Sequence, residues 1–265
     1  MTDPLPVHKG PIPAKLHYVW FGSAHVPAEL QAGIDDWKRL MPEYEVVRWS
    51  ETNMDVRAHP YLERMHREGR YAFASDCARL LILLEHGGIY LDTDMCLKKS
   101  LARFTAEECF WSFELDHFIS TAVIGSRPGH PFIRKLLGAY DHLEEPVINN
   151  VLVTRAFIHE FPEFRLNNKD QVVGEGIRIF PKEYMVIPSF RKDRNYSVHM
   201  ARNLWRPATR KLRLGPWGRA LLGDVLFYKL MNLVMGWGSE FPAMEKARRR
   251  AVAPAADRQR TPPSD

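Results

Sequence analysis

The sequence is poor in cysteine and has no long apolar run. Its 265 residues include three cysteines, Cys77, Cys96 and Cys109, which are too few and too irregularly spaced for a disulfide framework or a zinc ribbon. This usage favours a reducing compartment, the cytosol. The longest apolar stretch near the C-terminus, 225–237, is interrupted by two polar residues and is too short to span a bilayer. A membrane-spanning protein is therefore excluded.

The sequence also shows no signal peptide and no internal repeat. The first ten residues contain two prolines and no apolar run, so we expect residues 1–11 to form a flexible leader. Hydrophobic residues make up 45% of the chain and charged residues 26%, which excludes collagen-like, coiled-coil and wholly disordered proteins. We expect a single domain over 12–242, with a helical C-terminal extension over 210–242. The tail, 243–265, is rich in Ala, Arg and Pro and is predicted to be disordered.

Basic residues are concentrated in one part of the chain. The net charge is +5, yet residues 191–250 hold 14 Lys and Arg against 4 acidic residues. Residues 1–190 therefore carry a net negative charge. A basic C-terminal part on an acidic body indicates an anionic partner, and nucleic acid, a diphosphate or an anionic lipid surface would each fit.

Apolar periodicity predicts an α/β fold. The strongest helix signal is 71–86, which ends at Gly87-Gly88, as expected for a left-handed C-cap. A short buried strand, 89–91, follows it. Further strands are predicted at 12–22, 44–49, 110–113, 121–125 and 176–181, and further helices at 27–40, 131–140 and 149–160. Alternating strands and helices indicate a mostly parallel central sheet flanked by helices, with ligands bound beyond the carboxyl ends of the strands.

Two carboxylates stand at such a position. Asp92-Thr93-Asp94 directly follows the strand 89–91, and paired oxygen ligands suit Mg²⁺ or Mn²⁺. An exposed acidic turn is the alternative for this tripeptide. On the preceding helix, Asp76 and Arg79 share one face. They form either an ion pair or a ligand-binding pair in which Arg79 meets phosphate and Asp76 a hydroxyl.

The ordered motifs of residues 12–205 resemble glycosyltransferase family 32, whose members contain a DXD sugar-binding region. The resemblance is carried by Ile12-Pro13-x-Lys15-Leu16-His17-Tyr18-Val19-Trp20-Phe21-Gly22, Pro42-x-Tyr44-Glu45 with Trp49, Ala74-Ser75-Asp76-x-Ala78-Arg79-Leu80, Gly87-Gly88-Ile89-Tyr90-Leu91-Asp92-Thr93-Asp94, Ile124-Gly125-Ser126 with Pro128-Gly129-His130-Pro131, and Tyr196-x-x-His199 followed by Trp205. Large glucosylating bacterial toxins are similar at the same motifs.

The resemblance implies a GT-A-type nucleotide-sugar-binding fold and metal-dependent transfer of a hexose with retention. Its cofactor would be Mn²⁺ or Mg²⁺, with Asp92, Asp94 and His199 as ligands. Catalytic roles fall to Asp76, Arg79, Asp92 and Asp94. The donor, a UDP- or GDP-sugar, would be bound by Trp20 stacking on the base and by Asp76, Arg79, Tyr90, Asp92 and Trp205.

The chain departs from the family pattern at two places. Leu204-Trp205 replaces a Ser-Trp pair, so Arg202 or Asn203 is a substitute for the missing hydroxyl contact to the diphosphate. Thr121 stands where relatives frequently have Asn, which leaves the residue that stabilises the anomeric centre open. The candidates for that role are Glu114, Asp116, Asn149 and Asn150. Since no carboxylate nucleophile is obvious, front-side attack is favoured over a covalent glycosyl-enzyme.

The acceptor is expected to be a glycan or a lipid-linked sugar, in bacterial polysaccharide or glycolipid synthesis. The segment 210–237 mixes basic and apolar residues, so it is either a peripheral membrane contact or a core-packed helix pair. We expect a cytoplasmic protein, which a membrane contact would place on the inner face of the membrane, and no nucleic-acid partner. Two other classes compete: a metal-dependent phosphohydrolase with Asp92 as nucleophile, and a non-enzymatic module that binds anionic surfaces.

Overall fold

A computed structural model describes residues 11–22, 24–200 and 239–252, with positions 222, 223, 225–227, 229, 230 and 233 between them. The strands are β1 (Lys15–Val19), β2 (Glu45–Trp49), β3 (Gly88–Leu91), β4 (Met95–Leu97), β5 (Cys109–Leu115), β6 (Phe118–Ser126), β7 (Gln171–Val173), β8 (Ile177–Phe180) and β9 (Ser197–His199). The helices are α1 (Ala28–Leu40), α2 (Pro60–Arg67), α3 (Tyr71–His86), α4 (Pro131–Gly138), α5 (Asn149–Glu160), α6 (Lys182–Met185) and α7 (Phe241–Val252), with short 3₁₀ turns at Val56–Ala58 and Ala102–Ala106.

Seven strands form a central sheet in the order β2-β1-β3-β6-β5-β8-β7. The pairs β2-β1, β1-β3 and β5-β8 are parallel, whereas β6 runs antiparallel to both its neighbours and β7 runs antiparallel to β8. The predicted α/β fold class with a flanked central sheet is confirmed. The antiparallel strand β6 follows β5 through a tight connection, which periodicity does not distinguish from a crossover.

Helices and apolar side chains cover both faces of the sheet. One core cluster lies against α2, α3, α4 and α5, with Trp111 and Phe157 among its fully buried members. The other lies against α1 and includes Trp37, whose Nε1 donates to the carbonyl of Met95 over 2.9 Å. This bond ties α1 to the strand that follows the Asp-x-Asp sequence, so the core itself fixes one side of the predicted site.

The turn between α3 and β3 needs both of its glycines. Gly87 and Gly88 have φ values of 62° and 94°, which disfavour any residue with a side chain. A Cβ at Gly88 would lie 2.8 Å from the carbonyl oxygen of Lys15. The close approach lets β3 pair with β1 in parallel, with His17 opposite Tyr90. The glycine pair therefore fixes the start of β3, and through this short strand it fixes the position of Asp92.

A second, two-stranded sheet joins distant parts of the chain. Strands β4 and β9 are antiparallel, and Met95 stands opposite His199. The backbone N–H of Met200 donates to the carbonyl of Asp94 over 3.1 Å. Each strand has three residues, too few to show the alternation by which strands are recognised in a sequence. Neither strand is among the predicted elements.

The C-terminal tail differs from the prediction over 243–252. These residues belong to helix α7 instead of being disordered. Phe241 at its start is 1% exposed and lies in the core, and the guanidinium of Arg248 donates to the carbonyls of Phe161 and Phe164, each over 2.6 Å. Local composition predicted disorder because the Arg-rich sequence is polar, but the guanidinium of Arg248 bonds to backbone acceptors of the domain.

Other predictions fall outside the described residues. These are the flexible leader up to residue 10, the rest of the tail, 253–265, and most of the predicted helical extension 210–242. The described positions between 222 and 233 are helical. Among the helices that the structure describes, none combines the length and apolarity required to cross a membrane.

Candidate active site

Three metal-ligating side chains meet beyond the carboxyl end of β3. One ligand atom from each of Asp92, Asp94 and His199 lies within 4.8 Å of the others. All three residues are half-buried. Strand β3 delivers the two aspartates in one tight turn, and strand β9 brings His199 to them from more than a hundred residues along the chain. Two carboxylates and an imidazole form a donor set that suits Mn²⁺.

His199 interacts directly with Asp94 in this arrangement. Its Nε2 lies 3.2 Å from Oδ1 of Asp94. Burial opposes a charge on the imidazole, but the hydrogen bond and the negative charge of Asp94 outweigh it and raise the pKa of His199 to about 9. Asp94 and His199 therefore carry opposite charges at neutral pH, and a metal that binds both must displace the imidazole proton.

Arg79 joins the helix α3 to the carboxylates at the sheet edge. Its side chain is 5% exposed, and its guanidinium lies 2.5 Å from Oδ1 of Asp76 and 3.2 Å from Oδ1 of Asp92. It also donates to the carbonyl of Thr121 over 2.5 Å and lies over the Tyr90 ring, 4.6 Å from its centroid. The structure thus contains the predicted ion pair, and Arg79 additionally holds Asp92.

Asp76 lies at the other end of this network. Burial raises its pKa to about 7, although the neighbouring Arg79 acts in the opposite direction. Oδ1 of Asp76 also accepts a hydrogen bond from Nδ2 of Asn149 over 3.2 Å, and Oδ1 of Asn149 accepts one from the Tyr140 hydroxyl over 2.6 Å. Sequence reasoning missed Tyr140, since a lone tyrosine at the end of a predicted helix carries no signal of its buried partner.

Tyr90 and Trp20 lie beside these charged groups. The Tyr90 hydroxyl donates to Oδ1 of Asp92 over 3.2 Å, so it orients that carboxylate. Trp20 directly follows β1, the parallel neighbour of β3, and therefore leaves the sheet at the same edge as Asp92. Its ring is half-buried, and its Nε1 donates to the carbonyl of Ala24 over 2.8 Å. Stacking of Trp20 on a base stays a prediction.

The candidates for the residue that stabilises the anomeric centre have different surroundings. Asn149 supports Asp76, as described above. Asp116 forms an ion pair with Lys182, a buried lysine that the sequence did not indicate. Glu114 accepts a hydrogen bond from Nδ2 of Asn150. The predicted contacts of Trp205, Arg202 and Asn203 lie outside the described residues.

Comparisons with known proteins find similarity to glycosyltransferases. Residues 27–111 match the model of the glycosyltransferase sugar-binding region containing a DXD motif. The match includes Asp76, Arg79, Asp92 and Asp94, but it reaches neither Trp20 nor His199. Over 217 residues the chain is 27% identical to an uncharacterized glycosyltransferase of Acanthamoeba polyphaga mimivirus. The alignment covers 74% of this chain and 84% of that protein.

A second relative is a mannosyl phosphorylinositol ceramide synthase of Saccharomyces cerevisiae, 25% identical over 138 residues. That alignment covers 51% of this chain and 36% of the yeast protein, so the chain spans about a third of this relative. Among solved structures, the PaToxG glycosyltransferase aligns with a TM-score of 0.50 at 20% identity, covering 58% of this chain and 71% of that one. At this identity the likeness concerns the fold.

Residues 27–111 are therefore similar to the DXD-containing sugar-binding region of glycosyltransferases, and the fold is similar to that of a solved glycosyltransferase. The resemblance to glycosyltransferase family 32 that the sequence motifs indicate is confirmed.

We predict that Arg79→Met destabilises the fold by about 3 kcal/mol, since removal of one partner leaves buried charges uncompensated. Without the guanidinium, burial raises the pKa of Asp76 further. A carboxyl group with a raised pKa binds protons more tightly in the folded state, so the loss should be larger at pH 8 than at pH 5. Urea denaturation at both pH values measures it.

The matched control is Arg127→Met, which removes a more exposed ion pair with Glu108 and should cost less than about 1 kcal/mol at either pH. Equal losses for the two variants would contradict the bridging role of Arg79.

Proposed function

We propose that this protein is a metal-dependent, retaining glycosyltransferase that moves a hexose from a UDP- or GDP-sugar to a glycan or lipid-linked acceptor. The observation that carries the proposal is the convergence of Asp92, Asp94 and His199 beyond the end of β3. Ligands bind at this position in open α/β sheets, and the donor set fits Mn²⁺ or Mg²⁺. The relative named for mannosyl transfer to a ceramide lipid supports a hexose donor and a lipid acceptor.

Each residue of the site has a chemical task in this proposal. Asp92, Asp94 and His199 hold the cation, which when bound supplies Lewis-acid neutralisation of the diphosphate leaving group. Asp76 and Arg79 orient the donor's hydroxyl and phosphate groups, and Tyr90 keeps Asp92 in position. Trp20 offers an aromatic face to the base. Attack by the acceptor hydroxyl on the leaving-group side would give retention.

The two competing classes explain less of the structure. A phosphohydrolase with Asp92 as nucleophile needs that carboxylate free to attack phosphorus, whereas Arg79 and Tyr90 both engage its Oδ1. A non-enzymatic binding module accounts for the basic C-terminal residues but gives no role to a buried carboxylate network. Release of phosphate from a phosphomonoester without a sugar acceptor would favour the hydrolase.

We predict that transfer from one of UDP-Gal, UDP-Glc, UDP-GlcNAc or GDP-Man depends on Mn²⁺ and falls about 100-fold or more in Asp94→Ala, because the leaving-group charge then lacks its counter-ion. A thermal-shift panel of these four donors with and without Mn²⁺ selects the donor for the assay. Asp36→Ala, which removes an exposed carboxylate on α1, should leave transfer unchanged. Metal-independent transfer in the wild type would contradict the proposal.

The affinity for Mn²⁺ should rise with pH. The pKa of His199 is about 9, so below that pH the metal must displace a proton, and the dissociation constant should fall by up to about tenfold per pH unit. Isothermal titration of Mn²⁺ between pH 6.5 and 8.5 measures this slope. His199→Ala should bind more weakly and with a flatter pH profile. An equal slope in both proteins would remove His199 from the ligand set.

We also propose that residues 210–237 contact an anionic membrane surface. Four leucines at helical spacing are exposed by 39% to 55%: Leu222, Leu226, Leu230 and Leu233. Residues 201–221, directly before them, contain six basic and no acidic residues. An apolar row beside a basic segment suits a bilayer interface, in which the leucines enter the acyl boundary and the cations meet lipid phosphates.

A variant with Arg210, Lys211 and Arg213 replaced by alanine should bind vesicles of phosphatidylcholine and phosphatidylglycerol about tenfold or more weakly than the wild type. Pure phosphatidylcholine vesicles should bind neither protein. As a matched control, alanine at Lys38, Arg39 and Arg57, which are exposed elsewhere on the domain, should not alter binding in a flotation assay. Equal binding of all three proteins would dismiss the membrane contact.

A further inference from the structure

Glu114 is the unpaired residue of a β-bulge near the end of β5. In the pairing of β5 with β6, Phe113 stands opposite Ile119 and Leu115 opposite Phe118, so the register shifts by one and Glu114 has no partner on β6. Its two neighbours are buried, whereas Glu114 is half-buried. Bulges of this kind redirect a side chain and are common next to active sites.

A chain of hydrogen bonds fixes Glu114 relative to the donor-binding network. Nδ2 of Asn150, in the first turn of α5, donates to Oε2 of Glu114. Oδ1 of Asn150 accepts from the Thr121 hydroxyl over 3.0 Å, and the carbonyl of Thr121 accepts from Arg79 over 2.5 Å. Asn150 is thereby oriented by β6, and it holds only one of the two oxygens of Glu114.

The hydrogen bonds of Glu114 lead to the strand that holds the start of the aspartate turn. The backbone N–H of Asp92 donates over 2.9 Å to the carbonyl of Ala122, the residue after Thr121 on β6. Glu114 is nevertheless not a member of the ligand group formed by Asp92, Asp94 and His199. Glu114 is therefore linked to the donor-binding network through Asn150 and Thr121 without belonging to the ligand group.

We propose that Glu114 is the carboxylate that faces the transferred sugar, and that Asn150 positions it. This inference rests on the proposed function. As the bond between the anomeric carbon and the diphosphate oxygen breaks, its electron pair leaves with the diphosphate and the sugar ring becomes positively charged. The acceptor oxygen then bonds to the anomeric carbon, and its proton passes to the released diphosphate oxygen. A preorganised carboxylate next to the ring stabilises that charge in the transition state more than in the ground state. Glu114 supplies that charge through Oε1, while Oε2 stays bonded to Asn150.

The test compares Glu114→Gln, Asn150→Ala and their combination with the wild type. Glu114→Gln keeps the shape of the side chain but removes its charge, so kcat should fall about 100-fold. Slow hydrolysis of the donor in the absence of acceptor should fall by a similar factor, because the same charge develops there. Isothermal titration should give dissociation constants for Mn²⁺ and for the free nucleotide within about twofold of the wild type.

Asn150→Ala should lower kcat by about tenfold, and the double variant should be no slower than Glu114→Gln alone, because the two residues act as one unit. Glu108→Gln is the matched control. It neutralises a carboxylate at the opposite end of β5, in an ion pair with Arg127, and should leave kcat unchanged.

Three results would overturn the proposal. If Glu114→Gln keeps kcat within about twofold while the wild type transfers sugar, Glu114 does not act on the sugar and the proposed function stands. If Glu114→Gln lowers the melting temperature and weakens nucleotide binding by as large a factor as it lowers kcat, the role of Glu114 is structural. If the wild type transfers sugar from none of the donors with Mn²⁺, the proposed function fails and this inference fails with it.

Discussion

The structure depends on a buried guanidinium that holds two carboxylates on different elements. Arg79 lies on helix α3, Asp76 one turn earlier on the same helix, and Asp92 at the end of the neighbouring strand β3. Two partly buried carboxylates near one another repel, and burial alone favours their neutral forms. The shared cation makes the arrangement tolerable and fixes the strand end against the helix. Arg79 is therefore as much a part of the architecture as of the site.

The second requirement is to bring His199 to Asp94, and the small sheet of β4 and β9 meets it. Backbone pairing of Met95 with His199 places the imidazole next to the aspartate turn without any covalent or metal link. Ser197 at the start of β9 is fully buried and donates to the carbonyl of Met185 over 2.6 Å. Backbone hydrogen bonds therefore bring Asp94 and His199 together, and they give the precise placement that a metal site would require.

What the sequence could predict follows from how local each signal is. Helix α3, its glycine stop and the aspartates after β3 lie within 24 consecutive residues, so propensity and spacing were sufficient. His199 was reached only through resemblance, because its partner strand is three residues long. The tail over 243–252 was predicted wrongly, since its anchoring depends on carbonyls of distant Phe161 and Phe164. The bulge at Glu114 depends on the register of β5 against β6, which local composition does not predict.

The charges of the site explain why a proton and a metal compete there. Arg79 partly balances the charge of Asp92, and His199 lies beside Asp94. Against the effect of burial, the negative charges of Asp94, Glu114 and Asp92 raise the pKa of His199 to about 9. A divalent cation supplies twice the charge of a proton at the same place. The electrostatics that favour the protonated imidazole are thus those that would favour a bound cation.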